Sequence, residues 1–292
     1  MLFTWKRKGI ENSCVKERGD KVGMGTMRID SGSEKLLARC DGEVGVITFN
    51  NPEKHNAMSM DMWQALAKAL GAMAEIDSLR LVVLEGAGDK AFVSGADISE
   101  FETLRSGKAQ QIAYEDAFDE AQHALAGFEK PVIASIKGYC VGGGLALALN
   151  ADIRLASADS VFAIPAAKLG VGYGYESIKT LTSVVGPSFA KDILFSARFL
   201  MADEALRIGL VNQVVARDEL DALVEDYVGR LVRNAPLTIR SVKSAVREII
   251  HDPGQTAPEC VEKLVEACFA SDDYREGRKA FMEKRKPNFR GS

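Results

Sequence analysis

The residues best suited to chemistry in this chain act through main-chain atoms. The stretch GYCVGGGLALALNADI runs from Gly138 to Ile153. Gly142, Gly143 and Gly144 have no Cβ, so a ligand can come close to the backbone there. They open an apolar helical run, and the first N–H groups of a helix are unpaired and lie at the positive end of its dipole. That combination suits an oxyanion hole or a phosphate cradle. It equally suits close packing of a helix on a strand. A second turn, Ser94–Asp97 (SGAD), follows another short apolar strand. Two such turns in one α/β body can each offer one N–H to a single oxygen, or Ser94–Asp97 is a strand-to-helix connection with Asp97 as its cap.

Side chains give little beside this. Three histidines (His55, His123, His251) show no H-x-x-x-H spacing, and five cysteines (Cys14, Cys40, Cys140, Cys260, Cys268) form no C-x-x-C pair. No metal is therefore expected, and the thiols are expected reduced in a cytoplasmic setting. Cys140 is expected as a small buried apolar residue and His55 as part of a loop. Charged residues make up 27% and hydrophobic ones 47% of 292 residues, with a formal net charge of −4. That is ordinary globular composition and does not point to nucleic acid or an anionic membrane. No apolar run is long enough to span a bilayer.

The elements that must position the two turns follow from hydrophobic patterning. Leu36–Phe49 alternates as a strand does, and Asn50-Asn51-Pro52 breaks it. From Ser59, a candidate cap, Met60, Trp63, Leu66, Leu70 and Met73 share one helical face. LRLVVLEG, KAFVSGAD, PVIASIKG and DIRLAS read as strands, with a helix ending near Phe128 between the second and third. The polar segment Ser99–Lys108 is expected to be mobile. Strands alternating with helices imply α/β. After Val215 the strands stop and four amphipathic helical runs follow, with Pro236 where a first helical turn accepts it. The expected organisation is a loose N-terminal extension (1–33), an α/β core (34–220) and a helical C-terminal region (221–292).

ITFNNPEKHNAMS, AFVSGADISEF, IKGYCVGGGLALALNADIRLAS, EALRIGLVNQVV and EGRKAFMEKRKPNF occur in this order. Together they resemble the successive motifs of the enoyl-CoA hydratase/isomerase (crotonase) superfamily, from about Leu36 to Phe289. The resemblance implies a spiral of ββα units with a helical C-terminal region that builds trimers, often paired into hexamers. It implies an acyl-CoA thioester as substrate, with no cofactor beyond the CoA that the substrate carries. It also implies that the backbone N–H groups of Ala96 and Gly143 hold the thioester oxygen as it becomes an enolate oxyanion.

In the same resemblance, members that hydrate enoyl-CoA carry two glutamates where this chain has Ala146 and Ala166. Water addition needs a base for the water and an acid for the α-carbon, and a methyl group is neither. Two-glutamate hydration is therefore not expected. KLGVGYGYESIK, in the loop that lines the acyl pocket of relatives, supplies Lys168, Tyr173, Tyr175 and Glu176. The LGVGY segment resembles LGVPY of methylmalonyl-CoA decarboxylases, a branch that also lacks both glutamates. This chain departs from that branch at Ala96 and Gly172, where the branch has histidine and proline. Tyr173 reads as a hydrogen-bond donor to a carboxylate or as a pocket wall. Glu176 reads as a base or as a first-turn glutamate favoured by the helix dipole. Glu100, Glu115 and Asp116 read as solvated charges. For CoA the resemblance points to Lys54, Ala57, Ala96, Asp97 and Ile98 around the adenine, and to Phe281 and Lys284 at the nucleotide end. A third outcome is a CoA-binding homologue without catalysis.

Overall fold

Leu81, Val82, Val83 and Leu84 are all fully buried. A strand with no exposed face belongs to a parallel sheet covered on both sides. The computed structural model describes residues 26–97, 99, 108–251 and 258–292. Eleven strands are described: β1 (Thr26–Ile29), β2 (Leu36–Asp41), β3 (Val44–Phe49), β4 (Leu81–Gly86), β5 (Ala91–Val93), β6 (Val132–Ile136), β7 (Tyr139–Val141), β8 (Ile153–Ser157), β9 (Val161–Ala163), β10 (Leu200–Met201) and β11 (Gln213–Val215). The larger sheet has the order β1-β2-β3-β4-β6-β8-β11 and the smaller the order β10-β9-β7-β5. The pairs β4/β5, β6/β7 and β8/β9 each give one strand to the large sheet and the next to the small one. Within each sheet these strands run parallel. The chain thus advances as a two-walled spiral.

Helices fill the turns of this spiral: α1 (Met60–Ala74), α2 (Lys108–Ala126), α3 (Gly143–Asn150), α4 (Ala166–Leu169), α5 (Tyr175–Ser196) and α6 (Ala202–Arg207). The main core lies between the two sheets and these helices. On the far face of the large sheet, Leu81, Val83, Ile133 and Leu155 pack on Leu220 and Val224 of α7 (Leu220–Arg233). Three further helices, α8 (Pro236–His251), α9 (Glu259–Ala270) and α10 (Asp272–Met282), complete the C-terminal region.

Several elements differ from their sequence reading. Leu36–Phe49 is a hairpin, not one strand: Gly42, at φ 65°, turns β2 into the antiparallel β3. Thr26–Ile29 lies in the stretch expected to be a loose extension, yet it pairs with β2 from Ala38 to Asp41. Residues 1–25 and most of the Ser99–Lys108 segment lie outside the described residues. Ser59 occupies the cap position of α1, but its hydroxyl donates to the Asp61 carboxylate and satisfies no helix N–H.

The glycine turn is fixed by a contact that no side chain could enter. A Cβ on Gly144 would lie 2.2 Å from Val93 O, at the end of β5. Gly144→Ala is expected to cost about 3 kcal/mol or more, as severe overpacking does, or to prevent folding. Gly71 on α1 has nothing within 4 Å of such a Cβ. Gly71→Ala is expected to gain about 0.5–1 kcal/mol from helix propensity. Urea denaturation of both variants checks this, and equal midpoints would mean that the Gly144 contact relaxes.

Candidate functional site

The two backbone turns come together. Gly142 has φ 55° and ψ −118°, a conformation that bends β7 sharply into α3. Its N–H donates to Ala163 O at 2.8 Å. A Cβ on Gly142 would lie 3.7 Å from Gly95 Cα, so the Ser94–Asp97 turn sits directly against it. On the other side of that turn, Met58 N–H donates to Gly95 O and Asp97 N–H donates to Met58 O, both at 2.8 Å. Met58 and Ala96 are thus a parallel bridge pair. Because successive residues of an extended chain turn their polar groups to opposite edges, the N–H of Ala96 faces away from Met58. Among the described residues neither Ala96 N–H nor Gly143 N–H has an acceptor. Both residues line one cavity of about 1230 Å³.

Aromatic side chains build the floor under these amides. Trp63 of α1 is fully buried, and its Cζ2 lies 3.1 Å from where a Cβ on Gly143 would sit. Trp63 Nε1 donates to Tyr114 Oη at 2.9 Å. Phe118, one turn further along α2, meets the indole edge-on at 5.0 Å between ring centres. Such packing leaves the turn no room to relax and keeps water from beneath it.

Ala146 is buried within α3 and does not line the cavity, whereas Ala166, in the first turn of α4, does. Tyr173 packs against the main core, and its hydroxyl is buried without a partner. Burial pushes this phenol up to about 12, so it stays protonated and able to donate at neutral pH. Glu176 lies in the first turn of α5, exposed, on the cavity wall. Glu115 also reaches the cavity from α2, again exposed, with Gln111 donating to it. Cys140 is fully buried, and burial raises its thiol far above the ordinary range, which leaves it unreactive.

The residues expected around CoA divide into two places. Lys54 Nζ donates to Asp97 Oδ2 and to Ser99 Oγ, each at 2.7 Å. Ala57 is buried beside them and its carbonyl accepts from Asn51 Nδ2. Only Ala96 of this group lines the cavity. Ile98 lies outside the described residues. Phe281, 82% exposed, and Lys284, at φ 53°, lie at the end of α10 and do not reach the cavity within this chain. His55 is in a loop, as expected, and stacks on Tyr139 at 6.0 Å.

Sequence reasoning passed over Gln122 and Asn150. Gln122, on α2, and Asn150, the last residue of α3, both line the cavity. Asn150 Nδ2 donates to Gln122 Oε1 and to Ala146 O. An amide on a helix surface carries no signal in a single sequence, and only the packing of α2 on α3 brings these two together. Among the described residues, no group of three or more His, Cys, Asp or Glu is placed to hold a metal, and no helix is long and apolar enough to cross a membrane.

Comparison with known proteins agrees over most of the chain. The enoyl-CoA hydratase/isomerase family model matches residues 39–292. A short-chain-enoyl-CoA hydratase of Clostridium acetobutylicum is 35% identical over 251 residues, 86% of this chain and 95% of that protein. A methylmalonyl-CoA decarboxylase of Escherichia coli is 32% identical over 251 residues, 85% and 95% of the two chains. The crystal structure of an enoyl-CoA hydratase/carnithine racemase from Magnetospirillum magneticum superposes with a TM-score of 0.85 at 37% identity, covering 89% of this chain and 97% of that one.

Asp97 anchors the Ser94–Asp97 turn and gives a pH-dependent test of it. Burial pushes its carboxyl up, but hydrogen bonds from Lys54 and Ser99 and the lysine charge outweigh this and hold it below its ordinary value of 3.8. A carboxyl depressed in the folded state stabilises fully above its unfolded pKa, and that stabilisation is lost as pH falls through the folded pKa. Asp97→Asn is expected to cost about 1–3 kcal/mol at pH 7. The difference from the parent protein should shrink progressively below about pH 5. Urea midpoints at pH 7, 5, 4 and 3 test this, and a constant difference would show that the ion pair contributes nothing.

Proposed function

Because the chain belongs to the enoyl-CoA hydratase/isomerase family and has its fold, we propose that it acts on an acyl-CoA thioester through an enolate held by the N–H groups of Ala96 and Gly143. What supports this reading most is the pair of unpartnered amides on two touching turns at one cavity. Forming an enolate moves negative charge from the α-carbon to the thioester oxygen. Two fixed donors above a dry aromatic floor stabilise that charge more than they stabilise the neutral carbonyl, which lowers the barrier. The reaction requires no cofactor beyond the CoA of its substrate.

The carboxylate pair of two-glutamate hydration has no counterpart at Ala146 or Ala166, so the proposed chemistry is one that does not depend on it. A second, narrower reading is decarboxylation of a malonyl-type thioester, favoured by the buried, partnerless hydroxyl of Tyr173. The bond from the α-carbon to the carboxylate breaks, CO₂ leaves, and the bonding electron pair becomes the enolate. A proton from solvent then completes the α-carbon. No base is needed, and a neighbouring glutamate would repel the substrate's carboxylate. Tyr173 would orient that carboxylate by donating to it. Glu176 is the competing group, as a carboxylate on the same wall. Lys54, Ala57, Asp97 and Ala96 are proposed to face the adenine, with Phe281 and Lys284 supplied to the nucleotide end by a neighbouring copy. Exposed apolar residues on the C-terminal helices, including Ile249, Phe269 and Met282, are consistent with assembly into trimers or pairs of trimers. Light scattering that gives only the 31.6 kDa mass of one chain would count against that assembly.

Gly143 permits a clean test of the amide, since it is the first residue of α3, where proline is accepted in a helix. Gly143→Pro removes the N–H, while Gly143→Ala adds the same first carbon against Trp63 and keeps it. In turnover of whichever thioester the protein consumes, the proline variant is expected to lose a further ~10²–10³-fold in kcat relative to the alanine variant. Equal activities would refute the amide's role. Crotonyl-CoA, followed by loss of enoyl absorbance, and methylmalonyl-CoA, followed by CO₂ release, separate the reactions. Fast hydration of crotonyl-CoA would contradict the claim that hydration is lost with the carboxylates at 146 and 166, and would leave the role of the two amides standing. CO₂ release that fails in Tyr173→Phe but survives in Glu176→Gln would support decarboxylation.

A further inference from the structure

Among the described residues, two buried side-chain polar atoms lack any partner, Tyr173 Oη and Gln122 Nε2, and both residues line the same cavity. The second is unexplained by the chemistry proposed above. Its identity as nitrogen is set by its neighbours. Asn150 Nδ2 donates at once to Ala146 O and to Gln122 Oε1. Turning the Gln122 amide over would set two NH₂ groups against each other. Turning Asn150 as well would set its oxygen against the Ala146 carbonyl. The network therefore leaves a surplus donor on Gln122, and a buried donor without an acceptor carries an uncompensated desolvation cost.

We infer that this donor is a specificity determinant, and that the inner part of the cavity takes an acyl chain bearing an uncharged oxygen, a hydroxyl or a ketone carbonyl, some distance from the thioester. The inference rests on the acyl-CoA reading and deepens it. Distance is set by α3: Asn150 is seven residues beyond Gly143, about 10 Å along the helix axis. The oxygen is thus several carbons from the carbonyl held at Gly143. Charge is set by the surroundings. Lys243 and Arg154 are bonded to the 151–152 segment that follows Asn150, and both are committed. Lys243 Nζ donates to Asp152 Oδ2 at 2.7 Å and Lys130 O at 2.9 Å. Arg154 donates to Leu210 O and Ala151 O. Of the other cations on the cavity wall, Arg247 pairs with Glu248 at 3.7 Å and Lys179 is also engaged. A carboxylate at this neutral amide would have to draw on charges already committed elsewhere, which is costlier than burying a neutral oxygen.

The test measures dissociation constants by calorimetry for octanoyl-CoA, for the octanoyl-CoAs hydroxylated at carbons 5 to 8, and for the thioester of the eight-carbon dicarboxylic acid. The parent protein is expected to bind at least one hydroxylated ligand about tenfold tighter than octanoyl-CoA, the scale of one buried hydrogen bond. In Gln122→Leu that ratio should fall to about one. No preference for any hydroxylated ligand overturns the inference, as does a preference that survives in Gln122→Leu. Tightest binding of the dicarboxylic thioester overturns the choice of an uncharged oxygen. If Gln122→Leu does not fold, the parent protein's own ratios decide. Failure to bind any of these thioesters removes the acyl-CoA reading itself, whereas tight binding without discrimination removes only this inference.

Discussion

One steric constraint organises the molecule: the backbone of Gly144 lies so close to the end of β5 that only a glycine fits. This contact fixes where α3 begins relative to the small sheet. It thereby fixes where the first N–H groups of α3 point, and it brings the Gly142 turn against Gly95. The parallel bridge from Met58 then holds the other turn from behind and leaves the Ala96 amide facing forward. Neither amide can adjust independently, because each belongs to an element locked into the core. Rigidity of this kind suits the role proposed for these amides, since nothing would have to reorganise as charge develops.

The side chains around the amides follow from the same arrangement. The proposed site, with backbone groups as its donors, needs walls more than it needs ionisable residues. Trp63, Tyr114 and Phe118 supply a dry floor and satisfy their own polar atoms through the Trp63–Tyr114 hydrogen bond. Ala146 packs into the core, and Ala166 presents only a methyl group to the cavity. The donors left without a partner are the neutral ones, Tyr173 and Gln122, while Arg154 and Lys243 on the same wall are bonded to protein oxygens and the carboxylates Glu115 and Glu176 are exposed. Neutral donors without a partner favour substrates that bring their own oxygen or generate their own negative charge. It gives little help to a reaction that needs a buried acid and a buried base.

The long periodic elements were legible in the sequence. The apolar face of α1, the buried strands β4 and β6, the glycine turn and the four C-terminal helices all lie where patterning puts them. Legibility failed for short elements. β7, β9 and β10 have two or three residues each, too few for any period to show, and they exist because they pair with one another. The Leu36–Phe49 hairpin was read as one strand because Gly42 interrupts an alternation that resumes at once. Gln122 and Asn150 could not be found at all, since their pairing joins residues 28 apart through helix packing.

By itself, then, the sequence determined the class of architecture, the place of both backbone turns along the chain, and the absence of carboxylates at positions 146 and 166. These are local properties, written in glycine placement, periodicity and residue identity. Tertiary structure alone decided that the two turns touch, that Ala96 and Gly143 face one cavity, and that Gln122 and Tyr173 are left there with unspent hydrogen bonds. Such properties depend on which groups are removed from water and which find partners. That is settled only when segments far apart in the chain pack together.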